Sequence, residues 1–143
     1  MDGRIQYLNT DLDLTSVVDL TSVAAAFELC GLFALDVSQR DDGLWYAIFE
    51  ADETYDEPGS NISMMLDAVE SLGAEQRAVW SGCSVRDFNI GYDCGDEPWA
   101  FNQGLSAEIL GRIAAVGASL RWTIYPNRHD VAGIASPEEP EAD

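Results

Sequence analysis

The sequence predicts an α+β fold in which helices pack on one face of a mostly antiparallel sheet. Two observations lead to this prediction. Apolar residues alternate with polar ones in five short segments, and three apolar stripes at helical spacing lie between those segments. Alternation is typical of half-buried strands, whereas a period of three to four residues is typical of amphipathic helices.

The first half of the chain predicts strand, helix, strand, strand. Residues 6–14 alternate, with one wet face. Asp19 precedes a helical stripe that ends near Gly31, and Cys30 falls on that stripe as a predicted buried thiol. An Asp-Gly pair joins the alternating segment 33–37 to segment 44–49, which predicts a hairpin. The second of these segments is apolar on both faces and is predicted to lie inside the sheet.

The second half predicts helix, strand, helix, strand. A stripe that ends at Gly73 is followed by a further helical turn carrying Trp80, and residues 88–92 then alternate as a fourth strand. Ser106 caps the last helix, and a final strand ends at Pro126.

The first six elements follow the order β-α-β-β-α-β of a ferredoxin-like two-layer sandwich. We expect the last helix and strand to extend this sandwich as a C-terminal αβ unit. Residues 1–126 are therefore predicted to form a single domain. Residues 127–143 are rich in acid and proline and lack periodicity, so a disordered acidic tail is predicted there.

Charge is the most unusual property of the composition. The chain has 26 Asp and Glu against seven Arg, no Lys, and a formal net charge of −19. This balance argues against binding to nucleic acid or to anionic membranes, which requires clustered basic residues. It indicates either a basic partner or adaptation to high salt. No apolar run is long enough to span a bilayer and no signal pattern is present, so a cytoplasmic location is expected.

Eight of the acids follow two of the predicted strands. In a ferredoxin-like sheet the third and fourth strands run in the same direction on either side of the first, so both clusters are expected at one end of the domain. We call these residues the acidic rim: Glu50, Asp52, Glu53, Asp56, Glu57, Asp93, Asp96 and Glu97. Trp99 and Phe101 follow directly and are candidate aromatic anchors of the kind enriched in interface hot spots.

Three interpretations of the rim remain open. Carboxylates could bind a hard cation, but residues 52–57 lack the spacing and glycine of an EF-hand loop, so no metal is predicted. A basic protein surface could dock there instead, with carboxylates standing where phosphates stand on DNA. Alternatively, the acids are solvated loop residues, and Trp99 and Phe101 fold back onto the core.

Catalytic signatures are absent from the sequence, and we predict neither an enzyme nor a cofactor. There is no nucleophile elbow, zinc-protease motif or glycine-rich phosphate loop. The only histidine, His129, lies in the predicted tail. Carboxylate pairs such as Glu50 with Asp93 could serve acid–base chemistry, but no cleft is predicted beside them.

Residues 86–92, 105–106 and 110–126 resemble the C-terminal half of small uncharacterised bacterial α+β proteins. Those proteins end in a helix, a turn of the type Leu-Gly-Ala-Ser-Leu and a strand of the type Ile-Tyr-Pro, matched here by Val116–Pro126. The resemblance implies a fold and no catalytic residue. In size and charge the chain is also similar to acidic immunity proteins and DNA-mimic inhibitors, including anti-defence proteins.

The leading hypothesis is a non-catalytic acidic binding protein of the immunity, anti-defence or DNA-mimic type. Its partner would be a basic protein, such as a nuclease or another nucleic-acid-binding protein, steered by opposite charge. The alternative is a housekeeping or structural domain whose acidity is a salt adaptation. An enzyme of unrecognised type ranks third, and a pocket holding a perturbed carboxylate would favour it.

Overall fold

A computed structural model describes residues 3–126, which form a mixed α+β structure of five strands and four helices. The predicted tail, with His129, lies outside the described residues. The elements follow in the order β1 (Gln6–Ser16), α1 (Thr21–Glu28), β2 (Leu32–Gln39), β3 (Trp45–Ala51), α2 (Pro58–Glu70), α3 (Ala74–Gly82), β4 (Val85–Asp93), α4 (Ala107–Ala115) and β5 (Ser119–Tyr125).

The five strands form one sheet in the order β2-β3-β1-β4-β5. β1 is antiparallel to both of its neighbours, β3 and β4, so these two strands run in the same direction on either side of it. β2 pairs with β3 antiparallel, whereas β5 pairs with β4 in parallel. A parallel pair needs a crossover connection, and α4 supplies it. The prediction that the last helix and strand extend the sheet is therefore confirmed.

The two faces of the sheet differ because each strand alternates. In β1, Leu12 and Leu14 are buried in the core with the helices, whereas Asp11 and Asp13 point to the opposite side. The same alternation places Glu50 and Asp87 with these aspartates. Among residues 3–126 no helix lies over this second side, which we call the open face.

The β2–β3 hairpin is confirmed. Gly43 has a φ of +84°, a backbone conformation that glycine adopts without strain. The amide of Arg40 donates to the carbonyl of Leu44 over 2.9 Å, and the Asp42 carboxylate accepts from the Leu44 amide at the same distance. β3 lies between β2 and β1, as predicted from its apolar composition.

Aromatic side chains join the helical layer to the sheet. The ring of Phe27 on α1 meets that of Phe49 on β3 edge-on at 5.0 Å, and it meets Trp80 at 6.3 Å. Trp80 lies on α3, which is a full helix where the sequence predicted only a further turn. Its indole nitrogen donates to the carbonyl of Val116 over 2.9 Å, so the largest buried side chain is also satisfied.

The first helix differs from its prediction at both ends. The N-cap position is Leu20, although the Asp19 carboxylate still accepts from the Thr21 amide at 2.7 Å. The helix ends at Glu28, before Gly31 turns the chain with a φ of +92°. The prediction of a buried Cys30 is wrong, because this residue follows the helix and is exposed.

Membrane crossing is not indicated by the helices. The longest of them, α2, has 13 residues. Within residues 3–126, none has the length and apolar character needed to cross a bilayer.

Two arginines connect separate elements. Arg112 on α4 donates to Asp67 over 2.7 Å and to Glu70 over 2.9 Å, both on α2. The guanidinium of Arg86 donates only to backbone carbonyls, and these lie at the end of α3 and the start of β5. They belong to Trp80, Ser81, Cys83 and Gly117.

We therefore expect Arg86→Met to lower the free energy of unfolding by about 2 kcal/mol, because several partly buried carbonyls lose their donor. The methionine keeps most of the apolar stem, so the loss reports the hydrogen bonds. Urea denaturation measures it. The control is Arg40→Met, which removes an exposed ion pair with Asp36 and a contact of the guanidinium with the Tyr46 ring, and should cost about 1 kcal/mol or less. Equal losses in the two variants would contradict this role for Arg86.

Candidate functional site

The sheet topology brings the two clusters of the acidic rim to one end of the molecule. β3 and β4 run in the same direction, towards the beginning of β1, but β4 extends along β1 to Gln6 whereas β3 pairs with it only as far as Leu12. In the register, Asp93 at the end of β4 lies opposite Gln6 at the start of β1. The rim residues nevertheless occupy different local environments.

In the first cluster, Asp52, Glu53 and Asp56 are exposed. Glu57 differs from them because it is the N-cap of α2. Its carboxylate accepts from the amides of Gly59 and Ser60, each at 2.8 Å. The hydroxyl of Ser60, followed by these amides, lowers the pKa of Glu57. Glu57 thus stabilises the start of α2. Its carboxylate is engaged in these hydrogen bonds, so it contributes negative charge to the rim but is not an open acceptor for a partner.

Glu50 lies on the open face and not in the loop. Its carboxyl group is hydrogen-bonded to that of Asp11 on the neighbouring strand. The pairing of Glu50 with Asp93, considered from sequence, joins residues on strands that β1 separates. The carboxyl pair that the fold creates is therefore Asp11 with Glu50.

A small cavity of about 130 Å³ surrounds this pair on the open face. Its other polar walls come from Asn89 on β4 and from Thr123 on β5, whose hydroxyl donates to the Asn89 side chain over 2.8 Å. The backbone of Gly91 forms part of the cavity wall, and because glycine has no side chain, none extends from this position into the cavity. Four strands thus contribute to one polar depression.

Burial and like charge raise the pKa of the aspartates on β1. Desolvation, followed by the hydrogen bond and the charge of Glu50, raises the pKa of Asp11 to about 7. Desolvation and the charge of Asp87 raise the pKa of Asp13, which lies directly opposite Asp87 in the register. Arg121 counters part of this repulsion, since it bonds Asp87 at 2.9 Å.

The second cluster is tied to the start of the chain. The amide of Asp96 donates to the carbonyl of Gly3 over 2.7 Å, and the amide of Ile5 donates to the carbonyl of Glu97 over 2.8 Å. The side chains of Asp96 and Glu97 are exposed, whereas Asp93 is half-buried. The backbone therefore holds two exposed carboxylates in a defined place.

The two predicted anchors behave differently. Trp99 is 98% exposed, so the alternative in which it folds back onto the core is wrong. Phe101 is partly exposed and meets the ring of Tyr92 at 5.8 Å with an interplanar angle of 73°. Phe101 therefore packs partly onto the domain, as the fold-back interpretation predicted, whereas Trp99 does not.

A groove with an apolar lining lies beside Phe101 and was not predicted from sequence. Its volume is about 320 Å³, and Trp122 and Ile124 of β5 form one wall. These two side chains point to the helix side of the sheet but remain 57% and 66% exposed. Cys94, Asp93 and Gln103 supply its polar atoms. We call this the aromatic groove, and it reaches the rim at Asp93.

The alternation of residues 120–124 was the available signal for the groove. It predicted a strand with one apolar face, but only the packing shows that Leu120 joins the core while Trp122 stays outside it. The Asp11–Glu50 pair was missed for a similar reason. Asp11 and Asp13 were assigned to a wet face, and the residues opposite them depend on strand register.

Metal-binding clusters are not found in the described part of the chain. Within residues 3–126 no group of three or more His, Cys, Asp or Glu side chains is arranged to hold a metal ion. The described thiols differ in setting: Cys83 is buried, and Cys94 is exposed at the aromatic groove.

Comparison of the chain with protein-family models, with curated proteins and with solved structures gave no match. The resemblance to small bacterial α+β proteins and the similarity to acidic immunity proteins therefore stay predictions. The surface itself supplies the functional argument.

Two chemical capacities follow from this geometry. The Asp11–Glu50 pair places a carboxyl group with a raised pKa, that of Asp11, in a cavity, but the volume of about 130 Å³ is well below the roughly 300 Å³ typical of small-molecule sites. The aromatic groove is within that range, and exposed aromatic residues are typical of protein interfaces.

We expect stability to depend on the ionisation of Asp11. Folding raises the pKa of Asp11 from 3.8 to about 7, so the folded protein binds a proton that the unfolded chain has released. This contribution to stability is complete below about pH 4 and is lost as the pH rises through 7. Asp11→Asn should remove it. Relative to the wild type, the variant should gain about 2 kcal/mol of unfolding free energy between pH 5 and pH 8, a value discounted for partial exposure.

Urea denaturation at several pH values measures this difference. Asp52→Asn is the matched control, because it removes the same charge at an exposed position of the rim. Parallel pH profiles for the wild type and Asp11→Asn would show that Asp11 does not hold the proton.

Proposed function

We propose that this protein is a non-catalytic binding protein that engages a basic protein partner. The observation that carries the proposal is the juxtaposition, at one end of the sheet, of exposed carboxylates and exposed aromatic side chains. Trp99 is almost fully exposed close to Asp96 in the chain, and the aromatic groove reaches the rim at Asp93. The rim and the groove together are the proposed docking surface.

The aromatic groove supplies the binding energy in this proposal. Exposed aromatic and aliphatic side chains in a contiguous patch mark interaction surfaces, since leaving them in water has no structural benefit. Trp122 and Ile124 line such a patch. Tryptophan and tyrosine residues carry a large part of the energy of many interfaces.

Charge supplies selectivity and speed. The chain carries a net charge of −19, and several of its arginines are engaged within the fold. Arg112 binds two acids of α2, Arg121 binds Asp87, and Arg86 binds backbone carbonyls. A basic partner would be steered to the rim, and the rate of association would fall with salt.

The partner class that we propose is a nuclease or another nucleic-acid-binding protein. Such proteins carry basic surfaces built to accept phosphates, and rim carboxylates could stand in the same places. The protein would then be an inhibitor of the immunity, anti-defence or DNA-mimic type. We expect it to act in the cytoplasm.

We also propose a ferredoxin-like assignment for the first four strands. The order β2-β3-β1-β4 with antiparallel neighbours supports it, as does the placement of the buried side chains on one face. The parallel β5 is then an addition to that sandwich at the β4 side.

Reversal of rim charges should abolish binding to the partner without unfolding the protein. The test compares Asp52→Lys/Asp96→Lys with Asp41→Lys/Glu75→Lys, which changes the net charge equally at exposed positions in the β2–β3 turn and at the start of α3. Each tagged variant is incubated with host lysate at low salt, and proteins eluted by a salt step are identified.

A basic protein retained by the wild type and by the Asp41/Glu75 variant, but not by the rim variant, is the expected result. Trp99→Ala should weaken the same capture at least tenfold, because an exposed tryptophan at an interface is a typical hot spot. Equal retention by both double variants would show that net charge, and not the rim, governs the contact. Circular dichroism establishes that each variant is folded.

The salt dependence of folding separates this function from salt adaptation. We expect cooperative unfolding at 0.05 M KCl with a free energy of several kcal/mol, as is usual for a domain with a continuous core. A salt-adapted protein relies on screening of its self-repulsion and would be unfolded at that concentration. Urea denaturation followed by circular dichroism at 0.05, 0.5 and 2 M KCl makes the comparison.

A further inference from the structure

The two edges of the sheet are built differently. β2 forms one edge, and its register with β3 is interrupted by an irregularity between Ala34 and Asp36. Among residues 3–126, β5 forms the other edge, and it keeps an unbroken register with β4 over seven residue pairs, from Ser119 to Tyr125. Bulges and charges on an edge strand prevent other chains from pairing with it. One edge is therefore protected and the other is regular.

The composition of β5 also favours strand pairing. Between Leu120 and Tyr125 the strand contains β-branched and aromatic residues and no proline. Its single charged side chain is Arg121, which forms an ion pair with Asp87 on β4 at 2.9 Å. Because Arg121 is engaged in this ion pair, its charge does not prevent another strand from pairing with β5. Most of the strand is exposed. An exposed, regular and apolar edge is a template for another strand.

The aromatic groove adjoins this edge on the helix side. Trp122 and Ile124 are two residues apart, which places both on the same side of β5. In a strand paired with β5, residues at every second position would lie beside these two side chains. The groove could thus receive alternate apolar side chains of an added strand.

Charge decides which kind of strand would occupy the edge. A second copy of this chain would bring another net charge of −19 to the same place, so self-pairing is opposed at low salt. A basic segment is attracted by the same field, and Asp93 in the groove and the exposed Asp96 lie at this end of the sheet. Charge complementarity therefore selects a basic partner.

We propose that β5 is a strand-addition site, at which an extended segment of the basic partner pairs with the outer side of β5 along residues 119–124 and places alternate large apolar residues in the aromatic groove. This rests on the proposed function and names the mode of contact. Main-chain hydrogen bonds to β5 would supply affinity, and the groove would select the apolar residues.

The test uses the full chain and a defined probe, the peptide acetyl-Arg-Ile-Arg-Ile-Arg-Ile-Arg-amide. A peptide of the same composition with its four arginines before its three isoleucines controls for charge without alternation. The corresponding glutamate peptide controls for alternation without basic charge. Binding is followed by nuclear magnetic resonance titration and by hydrogen exchange of the β5 amides.

Two protein variants separate the edges. Trp122→Ser removes a groove side chain that is 57% exposed. Leu35→Ser removes a smaller apolar side chain of similar exposure, 52%, on the protected edge. Neither residue belongs to the buried core, so both variants should fold. Sedimentation velocity on the wild type records its oligomeric state before the peptide is added.

The alternating basic peptide is expected to bind the wild type saturably and to slow the exchange of the β5 amides that do not bond to β4. The affinity of this peptide should be about tenfold lower for Trp122→Ser and unchanged for Leu35→Ser. The proposal is overturned if both basic peptides bind alike, or if Trp122→Ser binds as tightly as the wild type. It is also overturned if those amides are already protected in the free protein, by a second copy or by residues 127–143.

Failure of this proposal is distinguishable from failure of the proposed function. If the rim variant loses the captured partner while Trp122→Ser keeps it, a basic partner held by the rim stands, whereas the aromatic groove as the source of binding energy and strand addition are both wrong. If both the rim variant and Trp122→Ser lose the partner while the alternating peptide leaves exchange of the β5 amides unchanged, the docking surface stands and strand addition alone is wrong. If the peptide binds as expected while both double variants capture alike, strand addition stands and the role of the rim is wrong.

Discussion

The pairing of β1 with both β3 and β4 is the constraint on which the rest of the structure depends. Because β1 is central, its alternation determines both surfaces of the sheet: Leu12 and Leu14 enter the core, and Asp11 and Asp13 face away from it. A shift of one residue in this register would bury the aspartates under the helices. The same pairing makes β3 and β4 parallel in direction, so the two acidic loops that follow them emerge at one end.

The open face shows what this constraint costs. Asp13 lies opposite Asp87, and Asp11 shares a hydrogen bond with Glu50, although like charges on adjacent strands are destabilising. Burial and the neighbouring Glu50 raise the pKa of Asp11, which favours its neutral form, and the ion pair of Arg121 with Asp87 offsets part of the remaining repulsion. Acidity in this protein is therefore built into the centre of the sheet as well as into its loops.

Apolar surface is distributed unevenly in a complementary way. Phe27 and Trp80 are buried and pack against each other within the helical layer. Trp122 and Ile124 of β5 are not covered by that layer and remain exposed. The result is a regular edge strand, an aromatic groove and exposed carboxylates within one region. Charge that opposes self-association lies beside surface that favours association, and this combination suits a partner of opposite charge.

The sequence by itself determined the element types, and it predicted the end of the sheet at which acids would gather only through an assumed strand order. The Asp-Gly turn at Gly43 and the alternation in β1 are local signals, because turn geometry and side-chain period depend on neighbouring residues alone. The end of α1 was misplaced and Cys30 with it, since helix ends depend on competing caps. The Glu57 cap is a local contact with Gly59 and Ser60 that sequence reasoning missed. Only the tertiary structure decided that Glu50 meets Asp11 and that Trp122 lies outside the core. Such contacts depend on register and on the area that the helices cover, and these are set by packing between residues distant in the chain.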